Sequence, residues 1–348
     1  MDEVATDEKL NGPRSNIEAM HISRRGLLGT AAGLAALPLA TTLFPPAALA
    51  SPPKLGLGTS TWRRFKLGSF ELTMLPDSDA FIDGPFPIIG ANGAEADVQK
   101  LMVDNLLPPT TYQPGFTPMV VNTGKELVLF DTGNGADGFV KRPDGGWLAA
   151  QLAPAGFKPE QIDVVILSHG HIDHVGGVME GGKPLFPNAR YVIAGTEYDH
   201  WTQEGVHTSE LGKLMADVFR TNVVPVRDRI TFIKPGDDVV SGIRSIAAPG
   251  HTPGHLAFML ESDGKNMLFW GDCAHHQVAS LARPDWHCMF DSDKEQGVQT
   301  RKQIFDMAAT DRIPVQGYHM PFPSLGYVER RPEGGYRWLA HTYQLSAP

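Results

Sequence analysis

Directly after the apolar run Val164-Val165-Ile166-Leu167 the chain reads Ser168-His169-Gly170-His171-Ile172-Asp173-His174-Val175-Gly176-Gly177. Four side chains able to bind metal, His169, His171, Asp173 and His174, fall within six residues. Three protonated imidazoles held so close would repel one another, whereas imidazole with carboxylate is the donor mixture that zinc and its first-row neighbours accept. A bound cation removes the repulsion. The spacing therefore points to a metal site and not to a loop that is merely rich in histidine.

The same arrangement recurs along the chain. Leu127-Val128-Leu129-Phe130 leads into Asp131-Thr132-Gly133, Ile246-Ala247-Ala248 leads into His251, Met267-Leu268-Phe269-Trp270 into Asp272, and Ile313-Pro314-Val315 into His319. Short apolar runs read as strands, so five strand ends each deliver Asp or His. Strands lying side by side would gather these groups along one edge, where sheet proteins commonly place their chemistry. Residues 68 to 75 alternate as a half-buried strand does. Helical character is expected over 96–107, from Glu160 towards the histidine cluster, over 197–219 and over 294–309. The Pro/Gly-rich stretches 83–90 and 108–118 read as binding loops or ordinary edge loops.

At 348 residues, 42% hydrophobic and 20% charged, the chain can bury a substantial core. Its formal charge is −9, and removing residues 1–50 takes away four basic and five acidic residues and leaves −8. An acidic chain is a poor partner for nucleic acid, which is held by lysine and arginine. Ser23-Arg24-Arg25-Gly26-Leu27-Leu28, a Gly/Ala/Leu run and Ala48-Leu49-Ala50 read as a twin-arginine-type leader over 1–50, implying a periplasmic or secreted protein. The run is broken by Pro38, Pro45 and Pro46, so no stable membrane anchor is expected. Residues 51–67 read as a linker and 68–348 as one domain. Cys273 and Cys288, the two cysteines, allow either a single bridge or two buried thiols.

The order His169-x-His171-x-Asp173-His174, then His251, Asp272 and His319, resembles the metallo-beta-lactamase superfamily of hydrolases. That resemblance implies an α/β fold, a four-layer αββα sandwich carrying two divalent ions per chain, zinc first among them, at one edge of its two sheets. It implies that His169, His171 and His251 hold one ion, that Asp173, His174 and His319 hold the other, and that Asp272 bridges. Each ion then has three terminal donors and a shared carboxylate. Asp131 matches a position that supports a ligand in this superfamily, as a carboxylate orienting an imidazole does; a turn-initiating aspartate is the plainer alternative.

His251-Thr252-Pro253-Gly254-His255, Gly271-Asp272, Phe290-Asp291-Ser292-Asp293 and His319-x-x-Phe322-Pro323-x-x-Gly326 are similar to methyl parathion hydrolase-type enzymes. The implied reaction is attack of a metal-bridging hydroxide on an uncharged ester-like bond: a phosphotriester, aryl ester or lactone, with Asp173 and Asp272 in the catalytic set. Trp201 falls where that family places an aromatic wall, or it is a core tryptophan; Phe116, Phe290 and Phe322 are expected around the substrate. His275, three residues after Asp272, could donate a hydrogen bond to a carbonyl or protonate a leaving group, or simply face solvent beside His276. Related enzymes are often homodimers. Alternatives that share these donors are a glyoxalase II-type thioesterase and, from another class, a mononuclear iron persulfide dioxygenase-like oxidoreductase.

Overall fold

The computed structural model describes residues 61–342. The leader expected over 1–50 lies outside the described residues. The end of the expected linker is not a linker. Arg63–Leu67 forms strand β1, antiparallel to β2 (Phe70–Met74), with Phe65 and Leu67 buried and Arg63, Arg64 and Lys66 exposed. The period-two pattern of the first sheet thus begins at residue 63, before the alternation expected from residue 68.

Fourteen strands build two seven-stranded sheets in which spatial order follows chain order. The first holds β1, β2, β3 (Met119–Asn122), β4 (Leu127–Phe130), β5 (Val164–Ile166), β6 (Arg190–Ala194) and β7 (Ile230–Ile233). The second holds β8 (Asp238–Val240), β9 (Ile243–Ala247), β10 (Leu256–Ser262), β11 (Lys265–Phe269), β12 (Val315–Gln316), β13 (Leu325–Arg330) and β14 (Tyr336–Ala340). From β4 to β7 the pairs are parallel, and β11 and β12 are parallel. Residues that follow these strands therefore emerge along common edges.

Alternation sorts each strand's side chains between layers. Val128 and Phe130, Val164 and Ile166, and Val192 and Ala194 point between the sheets, where they meet Ile243, Phe258, Met267 and Phe269. Leu129, Val165, Tyr191 and Ile193 take the opposite face and pack with α2 (Leu148–Leu152), Trp201, Met215 and Phe219. On the outer face of the second sheet, Leu268 and Trp270 pack with Ile304, Phe305 and Ala308. The result is the expected four-layer αββα sandwich.

The helices differ from the sequence reading in two places. From Glu160 there is a single 3-10 turn, Pro159–Gln161, and Ile162 is already extended towards β5. The segment 197–219 is two helices, α4 (Gly195–Thr202) and α5 (Glu210–Val223), because the chain breaks at Gln203 and restarts where the Ser209 hydroxyl accepts the Gly212 amide. The remaining helices are α1 (Glu95–Asp104), the single-turn α3 (Ile172–Val175), α6 (Ala279–Ala282) and α7 (Lys294–Asp311). The stretches read as loops are pinned by a two-residue ribbon pairing Ile82–Asp83 with Thr111–Tyr112. Cys273 and Cys288 are both free and buried, so of the two alternatives no bridge is formed. Among the described residues no helix is long and apolar enough to cross a membrane.

Candidate metal centre

Strand β5 ends at Ile166, and Leu167 and Ser168 carry the chain to His169. Asp131 leaves β4 with φ +56 and is fully buried. Its carboxylate accepts the Ser168 amide (2.7 Å) and hydroxyl (2.8 Å), as well as His174 Nδ1–H (2.8 Å). Ser168 Oγ, its own proton given to Asp131, accepts from His169 Nδ1–H at 3.1 Å. One aspartate therefore sets two rings.

From the second sheet, the loop after β9 presents His251, whose Nδ1–H donates to Asp291 Oδ1 at 2.9 Å. Asp291 is held in turn by Arg301 Nη2 at 2.9 Å, and Arg301 Nε reaches the Cys273 carbonyl beside Asp272 at 3.0 Å. His319, beyond β12, donates Nδ1–H to the Gly115 carbonyl at 2.6 Å. In all four rings an outer acceptor takes the Nδ1 proton, so Nε2, turned inwards, is the nitrogen that can offer a lone pair to an ion.

Those lone pairs meet around Asp272. Its Oδ2 lies 3.1 Å from the Nε2 atoms of His251 and His319, 3.3 Å from His275 Nε2 and 3.7 Å from His169 Nε2. Oδ1 lies 3.1 Å from His174 Nε2. Asp173 Oδ2 lies 3.4 Å from His174 Nε2 and 3.5 Å from His319 Nε2. His169, His171, His251 and Asp272 form one cluster of donor atoms within 4.8 Å of one another, Asp173, His174 and His319 form a second, and Asp272 and His319 form a third with His275. Yet Nε2 of His169, His174 and His251 and Oδ1 of Asp272 are buried without a hydrogen-bond partner. Buried polar atoms are rarely left so. Several of them converging on one point suit a cation, and the donor set of imidazole and carboxylate is chemically right for zinc.

Electrostatics agree. Burial, reinforced by His174, His171 and His251, holds His169 well below the ordinary histidine range, and burial with His251 does the same to His171. These two rings are neutral bases, as a ligand must be. Burial also pulls on His174 and His251, but Asp272 and the neighbouring carboxylates outweigh it, lifting His174 well above its usual range and His251 to about 9. The carboxylates thus favour positive charge at the position where the lone pairs meet. Burial would raise Asp272, yet His174, His319, His169 and His251 together push it far below a normal carboxyl.

Two cavities open onto this point. A small one of about 30 Å³ is bordered by Phe116, Phe139, Asp173 and Phe290, and a larger one of about 370 Å³ by Phe81, Gln113 and Phe322. Tyr112, Phe116, His275 and His319 belong to both walls. His275 and His276 do not face solvent: they are 4% and 6% exposed. His275 stacks on His319 at 5.3 Å, and neither of its ring nitrogens has a hydrogen-bond partner.

Trp201 is not a wall of the substrate space. It is buried behind His171, edge-on at 5.4 Å, with its indole N–H on Glu197 Oε1 (2.6 Å) and its outer face stacked on His207. Trp201 lies one turn after Glu197 on the buried face of α4, which points the ring into the sandwich.

Four residues escaped the sequence reading: Glu197, His255, Asp291 and Arg301. His255 donates Nδ1–H to the Ala248 carbonyl (2.8 Å) and accepts the Asp272 amide on Nε2 (3.1 Å). Burial lowers its pKa to about 3, which keeps that acceptor free. Only the second histidine of His251-Thr252-Pro253-Gly254-His255 and the acid of Phe290-Asp291 were available as signals. Glu197 and Arg301 look like ordinary helix residues.

Comparison with known proteins agrees with this geometry. "Lactamase-like protein nscB" of Trichophyton rubrum is 24% identical over 220 residues, 63% of this chain and 52% of that protein. "N-acyl homoserine lactonase" of Bacillus cereus is 26% identical over 117 residues, 34% of this chain and 40% of that protein. The chain thus spans about half the length of the curated relatives it matches. Among solved structures, AidC, described as a dizinc quorum-quenching lactonase in complex with a product, is 25% identical with a TM-score of 0.74, covering 82% of this chain and 98% of that one. The hydrolase AbOPH, at 24% identity and a TM-score of 0.75, covers 82% and 99% and shares the fold. The family model described as "Metallo-beta-lactamase superfamily" matches residues 117–315, from just before β3 into β12. That span is more than half of the sequence and contains every donor except His319; the chain belongs to the metallo-beta-lactamase superfamily of hydrolases, whose fold binds divalent metals, usually zinc.

Proposed function

We propose that this protein is a dinuclear metal-dependent hydrolase of uncharged ester-like bonds, in the methyl parathion hydrolase-like branch and exported through the leader read over 1–50. The substrate is a lactone, aryl ester or phosphotriester. The observation that carries this reading is the meeting of unpartnered imidazole nitrogens on Asp272 beneath cavities that, among the described residues, are lined by no lysine or arginine. An anionic substrate would face Asp79, Asp173 and Asp272 with no counter-charge from a basic side chain. A neutral one meets aromatic walls instead. The likeness to a lactonase relative and to product-bound AidC supports lactones within this class and a count of two ions.

His169, His171 and His251 would hold one ion, Asp173, His174 and His319 the other, with Asp272 between them. When bound, such ions supply Lewis acidity and bring the pKa of water towards neutrality. The chain's own residues do the remaining work. Asp131, Ser168, Asp291 and the Gly115 carbonyl fix the ring directions in advance, so the donors need no rearrangement. Phe116 on both cavities, Phe290 on the smaller and Phe322 on the larger supply apolar walls. His275 stands on the wall shared by both cavities, its Nε2 3.3 Å from Asp272 Oδ2 and its Nδ1 without a partner, placed to donate Nδ1–H to the carbonyl or phosphoryl oxygen.

The deciding experiment is a panel of acyl-homoserine lactones, dihydrocoumarin, nitrophenyl esters and paraoxon-type triesters, with nitrophenyl phosphate as the anionic control and metal counted per chain. Cleavage of at least one neutral member, none of the anion, loss of activity on chelation and about two zinc per chain are expected. Turnover insensitive to chelation overturns the proposal, and a single iron with oxygen consumption transfers the protein to the oxidoreductase class. His275→Ala should lower kcat on the preferred substrate by about 10²-fold, the effect of losing one oxyanion donor, with ion content unchanged. Unchanged turnover would dismiss the role.

A further inference from the structure

We propose that Glu197 is a positioning residue that fixes the three histidines of one ion site by clamping the two loops that carry them, and that its loss weakens that site selectively. The inference rests on the two-ion reading above.

Helix α4 starts directly after β6 and sends Glu197, fully buried, to the seam between the sheets. Its Oε1 accepts the Gly170 amide (2.8 Å) and the Trp201 indole N–H (2.6 Å). Its Oε2 accepts the Thr252 hydroxyl (2.7 Å) and the Gly254 amide (2.9 Å). Gly170 is the residue between His169 and His171 and comes off the first sheet; Thr252 follows His251 and comes off the second. One carboxylate therefore joins both halves of the sandwich at the three histidines expected to share an ion. With four donors on its two oxygens, it has no lone pair directed at the ion position.

The glycines of both histidine motifs follow from this strut. A Cβ on Gly170 would lie 2.2 Å from the Trp201 ring, and one on Gly254 would lie 2.4 Å from the Glu197 backbone nitrogen. Neither loop could close on α4 with a side chain there. The other ion's donors are fixed elsewhere: His174 by Asp131, His319 by the Gly115 carbonyl, and the Asp173 backbone by the Tyr318 hydroxyl at 2.6 Å. Ser168 and Asp291 also set the ring directions of His169 and His251, but among these side chains Glu197 ties the His251 loop to the His169 loop, and only the first ion draws on the His251 loop, which makes the effect selective.

Glutamine keeps the size of Glu197 but turns an NH₂ towards two N–H or O–H donors, so Glu197→Gln tests the acceptor and not the volume. Metal-free wild type, Glu197→Gln and Trp201→Phe, which removes one of the four donors and keeps an aromatic ring, are titrated with Zn²⁺ against a competing chelator and with Co²⁺ by visible absorption. Their unfolding midpoints are measured without metal. In Glu197→Gln one binding step should weaken by roughly 10–100-fold with altered cobalt bands, while the other step is preserved. Trp201→Phe should weaken the same step by less. Two unchanged steps overturn the proposal, as do two steps that weaken equally alongside a lowered metal-free midpoint, the mark of a merely structural role. Should Glu197→Gln fail to fold, Trp201→Phe with both steps intact is the overturning result. Wild type that binds two ions but cleaves nothing on the substrate panel would sink the hydrolase reading and leave this one standing.

Discussion

Asp272→Asn is expected to lower turnover by two to four orders of magnitude and to reduce the metal retained after dialysis. Nε2 atoms of five histidines lie within 3.7 Å of its carboxylate, and its charge is what lifts His174 and His251. Losing one preorganised electrostatic group at a reaction centre costs about 10²–10³ in turnover, and a weakened hold on the metal adds roughly another 10-fold or more. Asparagine keeps the shape and the main-chain bond to His255 Nε2, so the fold survives and the charge is isolated as the cause. The measurements are kcat/KM on the best neutral substrate and metal per chain on the same sample. A variant that retains wild-type values of both would remove Asp272 from the centre of the site.

Phe258→Ala should destabilise the fold by roughly 3–5 kcal/mol, the usual cost of deleting a fully packed phenylalanine, lowering the thermal midpoint by about 10 °C. Phe258 lies in the layer between the sheets, 5.5 Å from Phe130 and 6.2 Å from Phe269 by ring centroid, all three fully buried. Phe130 and Phe269 also touch, at 4.8 Å. The two rings that remain, Phe130 and Phe269, already brace each other across the sheets and cannot collapse into the space left by the third, so the cavity remains and its cost is felt. Scanning calorimetry in matched buffer checks this; a shift below about 2 °C would mean that the layer repacks and that the sandwich is softer than the interdigitation indicates.

Most of the fold's inner layer was legible because the strands that build it are short, uninterrupted apolar runs. Val164 and Ile166 turn to one face and Val165 and Leu167 to the other, a division that the run itself does not announce. The donors were legible because each stands within a few residues of the end of such a run. What could not be read depends on partners distant in sequence. Glu197 is defined by amides at 170 and 254, which carry no side-chain signature. Trp201 took the wrong side because its direction is set by the buried face it shares with Glu197 one helical turn earlier, a face that the polar segment 195–202 does not announce. β1 was hidden by its three basic residues, which face solvent and mask the alternation of Phe65 and Leu67. The helix expected from Glu160 failed because two buried residues, Ile162 and Val164, are claimed by the sheet within four positions.

The seven donors leave the chain from both halves of the sandwich, His169 to His174 from the first and His251 to His319 from the second. A cation settled among them is therefore a rivet through the molecule, since neither half can part from the other without giving it up. Resistance to heat must then rise with the logarithm of free ion concentration, by about 2.7 kcal/mol at a hundredfold excess over the dissociation constant. A melting temperature for this protein has meaning only alongside the ion activity at which it was taken.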